Sequence, residues 1–161
     1  MMQKRILTLL IVLTLIFIWG NSLLSREVSG AISDAVMEKM NAAASWLGLG
    51  DDFFTVMRDV DGDGIDEPSS HLVRKAAHVT EFAVLAALLW LRIERKGVQR
   101  SGSVFLLGVI TGAADETIQI FSYRGSMVRD VFIDAAGVLL GLSIVNIGAM
   151  LRAKKRKDRG D

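Results

Sequence analysis

Four long apolar runs constrain this chain more than any other feature of its sequence. They cover roughly residues 6–24, 72–91, 104–121 and 131–151. Each is close to the ~17–25 residues that an α-helix needs to cross the hydrocarbon core of a bilayer. A soluble fold would have to cover all four runs with polar surface, yet the only sizeable polar stretch is 25–70. The runs therefore predict an all-α fold, a single polytopic membrane domain over residues 1–161 with four transmembrane helices.

The first run has two interpretations. Lys4 and Arg5 precede it, in the order expected of a secretory signal peptide. However, the apolar stretch continues through Trp19 to Leu24, which is longer than usual for a signal peptide, and no Ala-x-Ala type of cleavage site follows. We therefore favour an uncleaved membrane anchor.

The distribution of basic residues predicts the orientation of the spans. Twelve of the nineteen lysines and arginines lie in residues 4–5, 92–100 and 152–159. By the positive-inside rule these segments are cytoplasmic, which requires an even number of spans. Residues 25–70, with ten acidic residues, then form an outer loop. We expect the basic tail, residues 152–161, to rest on anionic lipid headgroups and not on nucleic acid.

The outer loop begins with a pattern typical of an amphipathic helix. Between residues 27 and 49, apolar side chains recur at helical spacing and charged side chains occupy the rest of the helical wheel. Such a helix would lie on the outer membrane surface or would cap the bundle.

A second feature of this loop is the sequence Asp59-Val60-Asp61-Gly62-Asp63-Gly64, which matches the opening of an EF-hand calcium loop. Alternate carboxylates at Asp59, Asp61 and Asp63 would converge on one cation. The match is incomplete, because Ser70 stands where the loop's bidentate glutamate belongs. The motif predicts weak Ca²⁺ binding, and the alternative is a solvated Asp/Gly turn. The chain has no cysteine, which excludes disulfides and thiolate metal sites.

Polar residues interrupt the apolar runs near their outer ends. They are Arg74, His78 and Glu81 in the second predicted span, Asp115, Glu116 and Gln119 in the third, Asp130 and Asp134 in the fourth, and Arg124 in the loop between the last two. An ionisable group within a span costs ~2.5–3.5 kcal/mol on insertion scales, so it is rare without a partner or a purpose. These groups would either pair with one another and lock the bundle, or line a pocket for a polar ligand.

Two glycine pairs predict close helix packing. Gly108 and Gly112 lie in the third predicted span, and Gly137 and Gly141 in the fourth. Small residues four apart allow two membrane helices to approach closely. We expect these pairs to have a structural role, and close packing of the third and fourth spans would bring Glu116 and Gln119 near Asp130 and Asp134.

Four motifs, taken together, resemble the VanZ-like family. They are Trp19-Gly20-Asn21-Ser22, residues 73–82 (VRKAAHVTEF), residues 115–121 (DETIQIF), and Arg124 with residues 129–137 (RDVFIDAAG). The resemblance implies a small multi-pass protein of the bacterial cell membrane. The family is named for a member associated with resistance to the glycopeptide antibiotic teicoplanin. It does not supply a reaction.

Two functions of different classes fit these observations. The first is a protein whose outer pocket binds membrane lipid or a lipid-linked cell-wall precursor. The predicted ligand-binding residues are Arg74, His78, Glu81, Glu116, Gln119, Arg124, Asp130 and Asp134. The second is a membrane-embedded enzyme acting on a lipid or phosphoryl substrate, with His78 or Glu116 as acid or base. A zinc hydrolase is disfavoured because no HExxH motif is present.

Overall fold

The structure is a computed structural model, and it describes residues 2–55, 70–121 and 128–159. Within these ranges it contains five α-helices and no β-strand. The helices are α1 (Met2–Ser22), α2 (Arg26–Trp46), α3 (Ser70–Arg92), α4 (Gly97–Phe121) and α5 (Val128–Arg159). The prediction of an all-α chain is therefore confirmed, and each predicted apolar run lies mostly or wholly within a helix.

Three of the helices are long and apolar enough to cross a membrane, judged by length and composition. They are Met2–Ser22, Gly97–Phe121 and Arg129–Arg159. The helix α3 contains the second predicted span and has 23 residues, a sufficient length. It is less apolar than the other three because Arg74, Lys75 and Glu81 lie in its first half.

The chain divides into two compact units. One consists of Met1–Leu23 with His78–Asp161, and the other of Leu24–Ala77. The first unit holds α1, α4, α5 and most of α3. The second holds α2 and the beginning of α3.

All four helices of the first unit contribute to its apolar core. The core residues are Ile18 of α1, Phe82, Leu85 and Ala86 of α3, Val104 of α4, and Val138 and Leu142 of α5. Other large apolar side chains point away from this core, among them Ile16, Phe17 and Ile144, which are about 60% exposed. An apolar outer surface on apolar helices is typical of a bundle that contacts lipid.

The glycine pair of α4 lies against α5. A Cβ atom added at Gly108 would collide with the side chain of Val138, and one added at Gly112 would lie 3.0 Å from Asp134 Oδ2. The predicted close approach of α4 and α5 is confirmed at this pair, and it brings the α4 backbone next to Asp134.

The glycine pair of α5 lies against a different helix. A Cβ atom at Gly137 would be 2.6 Å from the carbonyl oxygen of Val79, and one at Gly141 would collide with the backbone of Ala83. The predicted close helix packing is therefore confirmed at this pair as well, with α3 as the neighbouring helix. The glycine pair of α4 makes the close contact between α4 and α5, and the pair of α5 makes the close contact between α5 and α3. The helix α5 therefore packs closely on both α3 and α4.

Polar contacts show that α1 and α3 run antiparallel within the first unit. Lys4, near the start of α1, pairs with Glu94, just beyond the end of α3. This hydrogen bond and the ammonium charge lower the pKa of the Glu94 carboxyl. Arg92 Nε donates to Thr8 Oγ1 at 3.0 Å. The first turns of α1 therefore lie beside the last turn of α3.

The basic segments of α4 and α5 lie at this same end. Asn146 Nδ2 donates to Ser101 Oγ at 3.3 Å, and α5 continues beyond this point to Arg159. Arg100 stacks over the ring of Trp90 with its guanidinium carbon 4.6 Å from the ring centroid. One end of the first unit is thus strongly basic.

The second unit contains the predicted amphipathic helix, which extends over Arg26–Trp46. Ser25 caps its first turn by accepting a hydrogen bond from the Val28 amide at 3.4 Å. Gly48, with φ +76°, ends it, and the Leu49 amide donates back to the Ala44 carbonyl at 2.9 Å. This is a Schellman motif, in which a left-handed residue lets the chain satisfy the last helical carbonyls.

The segment that follows folds back onto α2 within the same unit. The Phe54 amide donates to Asn41 Oδ1 at 2.8 Å, and Asn41 Nδ2 donates to Thr55 Oγ1 at 2.6 Å. Ser45 Oγ donates to Asp51 Oδ1 at 2.5 Å. These bonds hold residues 51–55 against the helix.

Candidate functional site

The first unit has a buried polar cluster at the end opposite its basic end. Its fully buried members are Ser22 of α1, Asp115, Glu116 and Gln119 of α4, and Asp134 of α5. Each is at most 6% exposed. His78 and Glu81 of α3 and Asn21 of α1 are half-buried beside them. The cluster therefore draws side chains from all four helices of the unit.

Asp115 is held by two donors from two helices. It is 0% exposed, its Oδ1 accepts a hydrogen bond from Ser22 Oγ at 2.5 Å, and its Oδ2 accepts one from Gln119 Nε2 at 2.9 Å. Gln119 Nε2 also lies 3.3 Å from Glu116 Oε1. Donors placed on both oxygens hold this carboxyl group in a fixed orientation.

His78 and Asp134 face each other across α3 and α5. His78 Nδ1 lies 3.3 Å from Asp134 Oδ1, which is within ion-pair distance but without the alignment of a hydrogen bond. Asp134 is 1% exposed, and neither of its oxygens accepts a hydrogen bond from any residue that the structure describes. A buried carboxyl group in this state is costly unless something else binds it.

Glu81 connects the cluster to α1. Its Oε1 accepts a hydrogen bond from Asn21 Nδ2 at 3.2 Å. Both residues are half-buried, as is His78, whose side chain is 19% exposed. These side chains form the accessible edge of an otherwise buried group.

The structure places five of the eight predicted ligand-binding residues in this cluster: His78, Glu81, Glu116, Gln119 and Asp134. Asp130 is half-buried one turn before Asp134. Arg74 belongs to the second unit, and Arg124 lies outside the described residues. The predicted calcium ligands Asp59, Asp61 and Asp63 also lie outside them. The binding roles of all these residues stay predictions.

Three cluster members are not among the predicted ligand-binding residues: Asn21, Ser22 and Asp115. The sequence does contain a signal for each. Asn21 and Ser22 end the first apolar run within one of the VanZ-like motifs, and Asp115 opens another. Asn21 and Ser22 are uncharged side chains at the end of an apolar run, so charge within a span does not reveal them. Asp115 stands out as a charge within a span, but it was not included in the predicted ligand-binding set.

The cluster is rich in acidic groups. Among its described members, Glu81, Asp115, Glu116 and Asp134 supply four carboxyl groups, and His78 supplies one imidazole. Like charges at short range favour a bound cation. One ligand atom from each of His78, Asp115 and Asp134 lies within 4.8 Å of the others, which is close enough for a shared metal ion.

A comparison with known families agrees with the motifs. Residues 6–149 match the model of the VanZ/LLP1 family. No curated protein and no solved structure matches the chain. The match covers most of α1 and α5 and all of α3 and α4, so it includes every described member of the buried polar cluster.

Proposed function

The chain belongs to the VanZ/LLP1 family, and from that premise we propose that it is a multi-pass protein of the bacterial cell membrane that binds a lipid-linked or cell-wall-related ligand. The buried polar cluster is the proposed binding site. Family membership suggests a link to glycopeptide resistance. Three helices apolar enough to cross a membrane support the location.

We propose that α3 is the fourth span. Arg92 contacts Thr8 at one end of α1, and Asn21 contacts Glu81 at the other. The part of α3 in the first unit therefore runs beside α1 from Thr8 to Asn21, so both helices would cross together. The side chain of Glu81 turns toward α1 and therefore toward the interior of the bundle. Charged side chains of membrane-spanning helices usually face the bundle interior.

The basic end of the first unit would then face the cytoplasm. Lys4, residues 92–100 and the tail 152–159 carry the charges that the positive-inside rule places there. Both chain termini would be cytoplasmic. The buried polar cluster, at the opposite end, would lie in the outer leaflet.

One observation carries the ligand proposal: five polar side chains are buried together although an apolar core already packs the same four helices. Buried ionisable groups are poor stabilisers by themselves, so packing does not explain this set. Carboxylates accept hydrogen bonds from sugar hydroxyls or lipid ammonium groups.

The test measures antibiotic susceptibility and protein amount in the same cells. A host that lacks the gene receives the wild-type chain, Glu81→Gln, Glu116→Gln, or Arg95→Lys as a control at the basic end. We expect the first two variants to lose the teicoplanin phenotype while folded protein stays near the wild-type amount. Both of these substitutions keep the size of the side chain but remove its charge. The control should retain both phenotype and protein.

Loss of phenotype in proportion to loss of folded protein, in both Glu81→Gln and Glu116→Gln, would contradict the ligand site. The polar cluster would then be a structural lock between the helices. A wild-type chain that changes no glycopeptide susceptibility would instead remove the resistance link and leave the binding site to be tested with lipids directly.

An enzyme is the second candidate, and the pair of His78 and Asp134 favours it. An imidazole with a carboxylate 3.3 Å away is a common arrangement for a general base and the group that orients it. Glu116 would serve as the acid. Release of phosphate or alcohol from a lipid phosphate by purified protein, lost in His78→Gln, would favour this function over binding alone.

A further inference from the structure

We propose that His78, Asp115 and Asp134 form a binding site for one divalent transition-metal ion. The three ligands come from α3, α4 and α5, respectively, so no short sequence motif indicates the site. One ligand atom from each residue lies within 4.8 Å of the others. Imidazole nitrogen with two carboxylate oxygens is a donor set suited to Zn²⁺ or Mn²⁺.

The separations agree with coordination to a common ion. Ligand atoms held at ~2.0–2.2 Å from a tetrahedral ion lie about 3.3–3.6 Å from one another. His78 Nδ1 and Asp134 Oδ1 are already 3.3 Å apart. The third ligand atom, from Asp115, lies within 4.8 Å of both, and a bound ion would draw it closer.

The state of Asp134 is the second, independent observation. Its side chain is 1% exposed, and both of its oxygens lack a hydrogen-bond donor among the described residues. The other buried carboxyl group of the proposed site, Asp115, has a donor on each oxygen. A buried carboxyl group that faces an imidazole at 3.3 Å and accepts no hydrogen bond has both oxygens available to bind a metal ion.

Neighbouring residues support the proposed ligands. Ser22 and Gln119 donate to the two oxygens of Asp115, and such outer contacts orient a metal-binding carboxylate. Each oxygen keeps a second lone pair for the ion. Gly112 leaves room for Asp134, because a Cβ atom there would lie 3.0 Å from Asp134 Oδ2.

The metal site does not depend on the proposed ligand. A bound cation would, however, explain how a cluster of carboxyl groups binds an anionic ligand. Three protein ligands leave at least one position of a tetrahedral ion free. An anionic phosphate group could occupy that position, with the ion between it and the carboxylates. In that case the metal ion would be part of the proposed ligand-binding site, and this step rests on the proposed function.

Metal binding to purified protein tests the inference directly. The protein is stripped with a chelator, and Zn²⁺ and Mn²⁺ are titrated by calorimetry into the wild type, Asp134→Asn and His78→Gln. Asp34→Asn, at an exposed position of α2, and Asp61→Asn, in the calcium-like motif, serve as controls. We expect one ion per chain in the wild type and both controls, and none in Asp134→Asn or His78→Gln.

A spectroscopic measurement keeps the test valid if those two variants fail to fold. The chain has only one other histidine, His71. X-ray absorption of Zn²⁺ bound to His71→Ala protein should show one imidazole nitrogen and carboxylate oxygens. Absence of the imidazole signal, or no binding of either ion to folded wild-type protein, would overturn the proposal. Because neither measurement uses antibiotic susceptibility, failure of the proposed function would not be mistaken for failure of the metal site.

Discussion

Ser22 is 1% exposed and donates its hydroxyl hydrogen to Asp115 at 2.5 Å, which joins the end of α1 to the middle of the polar cluster. At the scale of single residues, burial is what makes such a bond important. A buried acceptor that loses its donor has no water to replace it. An exposed serine that bonds to its own helix can exchange that bond for one to water.

The first prediction compares two serines in these opposite situations. Ser22→Ala leaves one oxygen of Asp115 without this donor, so we expect the free energy of unfolding to fall by about 1–3 kcal/mol. Ser143→Ala is the control, since Ser143 is exposed and donates to the carbonyl of Leu139 in its own helix. It should change stability by less than ~0.5 kcal/mol. Thermal unfolding in detergent measures both, and equal effects would mean that the Ser22 bond adds nothing.

At the scale of elements, close approach between two helices depends on glycines that face the neighbouring helix. Gly141 of α5 lies against the backbone of Ala83 in α3, whereas Gly148 of the same helix has no atom of another residue near its missing Cβ. Lipid tails do not drive apolar helices together, so van der Waals contact at such positions is a main source of bundle stability.

The second prediction uses these two glycines as a matched pair. Gly141→Ala forces α3 and α5 apart, and we expect overpacking to cost about 1–3 kcal/mol. Gly148→Ala meets open space and should be neutral or stabilising by up to ~1 kcal/mol, because alanine is the better helix former. Detergent melting curves give the comparison. A Gly141→Ala protein as stable as the wild type would mean that α3 and α5 are not in close contact.

The third prediction concerns the loop between α2 and α3. The partial EF-hand motif at Asp59, Asp61 and Asp63 is expected to bind Ca²⁺ with a dissociation constant of roughly 10⁻⁴–10⁻³ M, the range of extracellular sites. Calorimetry on purified protein would detect the heat of binding. The same heat in Asp61→Ala and Asp63→Ala proteins would show that Ca²⁺ binds elsewhere, and no heat in the wild type would favour a solvated turn.

At the scale of the whole molecule, the two ends of the first unit have opposite character. The basic end includes Lys4 and residues 92–100, and the other end holds the acidic polar cluster. This asymmetry makes the orientation in the membrane testable, and it also makes the crossing of α3 testable. If α3 does not cross, the segments before and after it lie on the same side.

The fourth prediction follows from that geometry. Because the chain lacks cysteine, single reporters can be placed at Asp52, Val98 and Asp158. On intact cells, an impermeant thiol reagent should label Asp52→Cys only, and permeabilised cells should show labelling of all three. Labelling of Val98→Cys from outside, together with Asp52→Cys, would leave α3 on one side and reduce the bundle to three spans.

The sequence alone determined which segments are helical and which polar residues interrupt the apolar runs. An apolar run as long as a bilayer is thick has to be helical, because only a helix satisfies its own backbone groups in lipid. Helical spacing of apolar residues likewise predicted α2, whose bounds differ from the prediction by at most a few residues. Charged residues inside apolar runs stood out as candidate ligands, and most of them lie in the buried polar cluster.

The tertiary structure decided which of these residues meet. Gly137 and Gly141 face α3 and not α4, and Ser22 joins the cluster although it carries no charge. His78 faces Asp134, while Glu81 turns to Asn21. Each of these outcomes depends on how far one helix is rotated about its axis relative to the next. That rotation is set by packing between residues distant in sequence, so the spacing within a single helix cannot reveal it.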